Sequence, residues 1–312
     1  MTDPEQQDEE LRPVAFAVAY RMLGTVSDAE DIVQDTLLRY HQALAAGEQI
    51  GSPQGFVATV TTRLSINELR SARARREQYV GEWLPEPIIT DSAGDPPQHA
   101  EMLDSLSLAM LVLLESLSPE QRAVLLLHDV FDYGYDEIAT IIDKSEDNVR
   151  QLTSRARRRV ADRRPRFQTT REQQQELAAR FFDAAEQGDL AGLEALLAAD
   201  VQMSSDGGGK VTAAVQPIQG RGNVASALSA WIRLRGHMPG VSLRRVEING
   251  RPGALNLDEQ QRLLGVIELD MAAGQIQAIR SVVNPEKLNH LGPVGDWEGL
   301  VRSARSDAQG SE

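Results

Sequence analysis

The stretch VGEWLPEPIITDSAGDPPQHA, residues 80 to 100, carries Pro85, Pro87, Pro96 and Pro97. Each proline lacks an amide donor and has its φ fixed, so no helix can run through the stretch and no interior strand can use it. It reads as an extended linker between the segments on either side. A chain of 312 residues is in any case too long for one ordinary core and suggests two or three domains.

An acidic tail, residues 1 to 10, leads into apolar residues at helical spacing from Leu11 to about Arg76, broken by the loop GEQIGSPQG at 47 to 55. Helical patterning resumes near Glu101 and runs to about Arg164. Ser118-Pro119-Glu120-Gln121 marks a helix start, with Ser as cap, Pro at the first position and Gln placed to close a capping box. After Pro165 the character changes. Leu177, Phe181 and Ala185 share the buried face of a helix that breaks at Gly188 before a second one. Alternation then predicts strands over 211–218, 241–248, 262–271 and 276–283, with the helix RGNVASALSAWIRLR among them. NG at 249–250 and AAGQ at 272–275 supply the turns. The expected organisation is an acidic tail (1–10), an all-α domain (11–79), the Pro-rich linker (80–100), a second all-α domain (101–166), an α+β domain (167–290) and a C-terminal tail (291–312).

The formal net charge of −14 hides strong segregation. Lys144 to Arg166 holds nine Lys or Arg against three acids, and Arg63 to Arg76 holds five Arg against one Glu. Compact basic islands on an acidic chain are the footprint of polyanion binding; the plain alternative is a pair of solvated helix faces. The chain has no Cys, which removes disulfides, thiolate metal sites and Cys nucleophiles together. The acidic N-terminus is not a signal peptide, and the longest apolar run, Leu108 to Leu114, falls far short of the roughly 20 residues of a membrane span. The expectation is a soluble, cytoplasmic protein with no cofactor and no metal.

Wound at about 100° per residue, 146 to 160 gathers Val149, Leu152, Ala156 and Val160 in one arc. Arg150, Gln151, Ser154, Arg155 and Arg158 fall opposite. Just before lies YDEIATIID (135–143), with Ile138, Ala139 and Ile142 inward, joined through Asp143-Lys144-Ser145 with Ser145 as a cap. A short helix, a tight turn and a basic second helix make a helix-turn-helix, in which Ala139 is small where the helices cross. Its leading side chains would reach base edges in the major groove, while Arg157, Arg159, Arg163 and Arg164 would neutralise phosphates.

DAEDIVQDTLLRY (28–40) together with YDEIATIIDKSEDNVRQLTSRARRR (135–159) resembles the bacterial extracytoplasmic-function sigma factors over roughly residues 11 to 166. The resemblance implies that the first motif, through Asp28, Asp31, Gln34 and Asp35, docks on the clamp of the largest subunit of core RNA polymerase. It implies that the second motif is region four, with Arg150, Gln151, Ser154, Arg155 and Arg158 on the minus-thirty-five element of promoter DNA. FVATVTTRLSINELRSARARRE (56–77) is similar to the part of region two that opens and reads the minus-ten element, which assigns Arg63, Asn67, Arg70, Arg73, Arg75 and Arg76 to that DNA. Arg63 stands where family members often carry Asn, and Thr59 where they often carry Arg. In DAEDIVQDTLLRY itself, Ile32, Leu37 and Tyr40 can face a core and leave the acids on one flank.

Residues of about 170 to 290 resemble the SnoaL-like (NTF2-like) cone, a curved sheet wrapped on helices. WLPEP (83–87), DGGGK (206–210) and NPEKL (284–288) recur in a subgroup of these sigma factors that carries such an extension. DGGGK is no phosphate-binding P-loop, because Ser204 stands where the first Gly is required. Two readings remain for it: a tight turn between strands, or a docking loop. A Trp in a Pro-rich segment seeks cover, so Trp83 and Pro85 are expected to pack near Asp206, Gly207, Gly208, Gly209 and Lys210 as a regulatory contact. The chain is expected not to be an enzyme: of five His, His237 alone falls inside the cone, with no His–Asp pair beside it. The resulting expectation is a sigma factor whose fused domain regulates it, with an unknown small ligand in that domain left open. The competing reading is a SnoaL-type ligand sensor or enzyme fused to a DNA-binding module. A stand-alone helix-turn-helix regulator would leave DAEDIVQD unexplained.

Overall fold

The structure, a computed structural model, describes residues 4–76, 78–90, 107–161 and 170–310; side chains at 4–5, 72–76 and 307–310 lie outside the description. The described residues form two compact units. One combines 4–78 with 107–161, the other 79–90 with 170–310. Among the described residues no helix is long and apolar enough to cross a membrane.

The first unit is all helical. α1 (Pro4–Leu23), α2 (Val26–Ala45) and α3 (Pro53–Arg76) pack around Leu11, Ala15, Val33, Tyr40 and Val57. Ile32 and Tyr40 are buried as expected, Leu37 is half-buried, and the polar Thr36 is fully buried because its hydroxyl meets that of Thr61 at 3.1 Å. The expected acidic tail is instead the first turns of α1: from Pro4 the chain is helical, and Asp8 pairs with His41 at 2.9 Å. Four further helices follow: α4 (Leu108–Leu114), α5 (Pro119–Asp129), α6 (Tyr135–Ile142) and α7 (Glu146–Ala161). Ser118 and Gln121 close the capping box of α5 as the sequence indicates. Arg122 of α5 is 2% exposed yet fully engaged, donating to Met22 O at 2.6 Å, Leu114 O at 3.1 Å and Glu115 at 2.6 Å. This guanidinium collects carbonyls at the C-termini of α1 and α4, where helix dipoles favour a cation.

The second unit, hereafter the cone, is α+β. α8 (Arg171–Gln187) ends at Gly188, whose φ of +71° is the left-handed cap position, and α9 (Leu190–Leu196) follows. The sheet then runs β1 (Leu197–Asp206), β2 (Ile218–Gln219), β3 (Ser242–Ile248), β4 (Arg251–Leu257), β5 (Leu263–Ala272) and β6 (Gln275–Val282), in the order β2-β1-β6-β5-β4-β3. Every neighbouring pair is antiparallel except β1 and β6, which are parallel and carry Asp206 and Val282 to the same edge. α10 (Arg221–Gly236) interrupts the strands, and α8, α9 and α10 cover the sheet through Leu177, Phe181, Phe182, Leu193, Val224 and Leu228.

Three features of this unit differ from the sequence expectation. The strand over 211–218 shrinks to Ile218–Gln219, the rest being bends and irregular backbone with Val215 67% exposed; Pro217 has no amide to offer a ladder. Two strands were missed. β1 hides behind an irregular burial pattern and a bulge between Leu197 and Gln202. β4 hides behind Pro252-Gly253, yet a Cβ at Gly253 would stand 2.4 Å from Ile267 O and 2.5 Å from Ile248 Cδ1, so close packing requires the glycine that breaks the pattern. Lastly, the C-terminal tail holds a helix, α11 (Trp297–Gly310), whose Val301 and Ala304 pack on Met238. The turn at Asn249 (φ +50°) and Gly250 (φ +70°) has the left-handed pair that a two-residue hairpin needs.

Candidate functional site

The helix-turn-helix is formed by α6 and α7. Gly134 precedes α6, whose first turn is closed by Glu137 accepting from the Gly134 amide at 2.8 Å. Asp143 ends the helix in the left-handed region at φ +54°, a conformation Asp tolerates, and Ser145 Oγ accepts from Asn148 N at 3.3 Å at the start of α7. Val149, Ala156 and Val160 are buried as expected. The fourth buried position is Thr153 rather than Leu152, because its hydroxyl donates to Val149 O at 2.9 Å and so needs no water. Inside α6 the fully buried pair is Ile138 and Ile141, with Ala139 and Ile142 half-buried against the same cluster. Arg150, Gln151, Ser154, Arg155 and Arg158 are all exposed on the outer face of α7. Arg150 pairs with Glu146 and lies over the Tyr135 ring at 4.7 Å. Arg157 is bound otherwise than expected, in an ion pair with Asp129 through Nε at 3.1 Å. Arg163 and Arg164 lie outside the described residues.

On α3, Asn67 is exposed. Arg63 and Arg70 are exposed too, yet both are occupied. Arg63 donates from Nε to Ile141 O at 2.8 Å and from Nη2 to Thr140 O at 3.0 Å, capping the C-terminus of α6. Arg70 pairs with Glu120 of α5 at 2.5 Å. Burial pushes the Glu120 carboxyl up, and the Arg70 hydrogen bond and charge more than offset this to hold it below its usual range. These contacts join the α1–α3 and α4–α7 halves of the unit, and nothing in the local sequence signalled them. The side chains of Arg73, Arg75 and Arg76 lie outside the description. On α2, Asp28, Asp31, Gln34 and Asp35 come together around a cleft floored by Ile32, and Thr25 donates to Asp28 at 2.6 Å. Sequence reading missed Glu68, the lone acid of the basic stretch of α3, which lines the same cleft.

In the second unit, residues 79 to 90 are not a free tether. They run along the cone, with Ile88 and Asn249 exchanging hydrogen bonds (2.8 and 3.0 Å) and Thr90 N donating to Glu247 O at 2.9 Å. The centre of the contact is Asp206, fully buried at the end of β1. Its carboxylate accepts from Tyr79 OH at 2.6 Å, Leu84 N at 2.8 Å, Gly208 N at 3.0 Å and Lys287 Nζ at 2.7 Å. Lys287, also buried, donates to Leu84 O and lies against the rings of Trp83 at 4.2 Å and Tyr79 at 4.9 Å. Asn284 donates to the Tyr79 oxygen at 2.9 Å. Burial first, then the hydrogen bond to Asp206, holds the Tyr79 phenol above its ordinary range. Gly208 has φ +59°, and a Cβ there would stand 2.2 Å from Asn284 Nδ2; one at Gly209 would meet Val80 at 3.0 Å. A Cβ at Gly207 would come within 2.6 Å of Val211 O. So Trp83, Asp206, Gly208 and Gly209 share one contact region; Gly207 packs within its own loop, Pro85 is buried, and Lys210 stands outside the region in an exposed pair with Glu286 at 2.9 Å. Tyr79, Asn284 and Lys287 complete the region; NPEKL was visible as a motif, but its pairing with Asp206 was not.

Comparison with known proteins follows the same division. A family model for sigma-70 region 2 matches residues 8–75, and one for sigma-70 region 4 matches residues 107–160. Over 289 residues the chain is 34% identical to the ECF RNA polymerase sigma factor SigJ of Mycobacterium tuberculosis, covering 89% of this chain and 91% of that protein. It is 31% identical over 276 residues to SigI of the same species, described as a probable ECF RNA polymerase sigma factor, covering 88% and 91%. The crystal structure of the Mycobacterium tuberculosis SigJ matches with a TM-score of 0.74 at 31% identity, over 92% of this chain and 98% of that one.

Proposed function

This chain belongs to the ECF RNA polymerase sigma factors and directs promoter-specific initiation with core RNA polymerase; from that premise we propose that its cone domain regulates the process by gripping the segment between the two promoter-reading regions. The observation that carries the reading is Asp206: a buried carboxylate at the end of β1 takes the Tyr79 hydroxyl and the Leu84 amide, fixing the segment that leads out of region two. Held this way, residues 79–90 set where the chain toward region four begins.

In this reading the exposed face of α7, Arg150, Gln151, Ser154, Arg155 and Arg158, reads the minus-thirty-five element. Asn67 and the Arg residues of α3 (Arg63, Arg70, Arg73, Arg75 and Arg76) serve the minus-ten element, where an opened strand needs cations along its backbone. Arg63 and Arg70 leave their partners on α6 and α5 to do so. Asp28, Asp31, Gln34 and Asp35, joined by Glu68, dock on the basic clamp of the largest polymerase subunit. In this reading the cone acts through its hold on residues 79–90 rather than through catalysis.

Run-off transcription with purified core enzyme tests the assignment. Trp83→Ala removes the ring against Lys287 and is expected to change transcript yield while the melting of both units stays cooperative. Wild-type output from a folded Trp83→Ala protein overturns the regulatory grip, and the absence of any promoter-specific transcript with the wild-type chain overturns the assignment of its DNA surfaces.

A further inference from the structure

The cone holds a partly open cavity of about 160 Å³ between its helices and the inner face of the sheet. Its walls are mostly apolar. Phe181 and Phe182 of α8, Trp231 of α10 and Trp297 of α11 face Ile267 and Ile279 of the sheet. Phe181 and Phe182 meet edge to face at 5.5 Å between ring centroids. The cavity lining contains no charged side chain among the described residues.

One polar group stands out within it. Asn256 of β4 is 2% exposed, lines the cavity, and has no hydrogen-bond partner for Oδ1. It lies opposite Leu243 on β3 and Gly265 on β5. A Cβ at Gly265 would press to 2.9 Å on Val283 Cγ1, so the β5 position beside the carboxamide is kept bare. Of the buried side-chain polar atoms without a partner among the described residues, Asn256 Oδ1 alone lines this space. A buried carbonyl oxygen without a donor costs stability, and apolar side chains would fill this position without that cost. The group makes sense if a ligand supplies the donor.

We propose that the cavity binds a neutral single-ring molecule bearing one hydroxyl, with the ring among Phe181, Phe182, Trp231 and Trp297 and the hydroxyl on Asn256. Size sets the ring count, because an apolar cavity of about 150 Å³ has room for one benzene ring. Charge sets the neutrality, because a carboxylate or ammonium would shed its hydration with no counter-charge in the lining. The carboxamide sets the hydroxyl: an O–H both donates and accepts, so it satisfies Asn256 whichever way the amide is turned. The site also adjoins the grip on residues 79–90. Ser205 and Val283 line the cavity, and the next residues along, Asp206 and Asn284, hold Tyr79. A ligand there would act on the regulatory contact directly, a consequence that rests on the function proposed above; binding itself does not.

The test is a ligand-observed NMR titration of the full-length protein, without polymerase, using phenol, toluene and benzoate at neutral pH. Phenol is expected to bind about tenfold more tightly than toluene, the effect of one buried hydrogen bond, and benzoate more weakly than either. Asn256→Leu is expected to erase the preference for phenol while the protein keeps a cooperative melt; should Leu not be accommodated, Asn256→Ala gives the same readout. Ile279→Trp, which fills the space, should abolish binding of both neutral rings. Failure of phenol and toluene to bind, benzoate binding best, or a phenol preference that survives loss of Asn256 would each overturn the proposal. None of these results touches promoter-directed transcription, which is measured separately.

Discussion

Asp206 and Lys287 are 81 residues apart in sequence and 2.7 Å apart in the fold. Two charges removed from water together are tolerable only because the remaining valences are filled, by the Tyr79 hydroxyl, the Leu84 amide and carbonyl, and the face of Trp83. Lys287→Met keeps the bulk and removes the charge, leaving the Asp206 carboxylate buried without its cation. The expected cost is about 3–5 kcal/mol, read by urea unfolding of the full-length chain. A loss below about 1 kcal/mol, the scale of an exposed pair, would mean the two charges are not desolvated together. Gly208→Ala acts through the backbone instead, forcing a Cβ into Asn284 at a positive φ, and should weaken the same contact. Sequence reading found Asp206 and the three glycines but attached them to the neighbouring Lys210. The cation that matters arrives with NPEKL, because β1 and β6 run parallel and end side by side. That pairing is a property of the sheet, invisible in either motif alone.

At the scale of elements, helices were legible and the sheet was half legible. α7 shows why: a 3.6-residue period survives the swap of Leu152 for Thr153 in the core, since the hydroxyl closes on its own helix. Strands lack that redundancy. Pro252-Gly253 in β4 and the bulge in β1 each break a period of two, and one break is enough to hide a strand of seven or ten residues. The candidate DNA faces were legible as exposed surfaces, but their occupation within the unit was not, because Arg63 and Arg70 find partners 50 to 78 residues away. The same distinction separates two arginines on α7. Arg157 and Arg159 are both exposed, but Arg157 is drawn to Asp129. In holoenzyme–promoter complexes, Arg159→Ala should reduce the slope of log affinity against log salt by about 0.9, the release of one condensed counterion. Arg157→Ala should reduce it by less, since that guanidinium must first give up its carboxylate. Equal slopes for the two variants would show that the Asp129 pair does not persist on DNA.

For the whole molecule the governing quantity is charge. Up to Arg166 the chain carries 18 basic and 28 acidic residues, so its basic helices work inside a protein that repels DNA overall. Either promoter-reading region alone is therefore a weak binder. Core polymerase changes the arithmetic by holding both at once, so that the second DNA contact becomes intramolecular with an effective concentration on the order of millimolar. The contacts of Arg63 with α6 and of Arg70 with α5 add to the weakness of the free chain, because those cations are already spoken for. Anisotropy of a labelled promoter fragment, chosen because it yields a run-off transcript with the holoenzyme, separates the two states. At about 0.15 M salt, where screening reaches only about 8 Å, the isolated protein should show no preference for that fragment over a scrambled one, and adding core enzyme should create it. Replacing Arg63 and Arg70 together by Ala should leave the free chain just as weak while lowering the affinity of the holoenzyme. Tight sequence-specific binding by the chain alone would mean that its promoter-reading surfaces need no polymerase to act together.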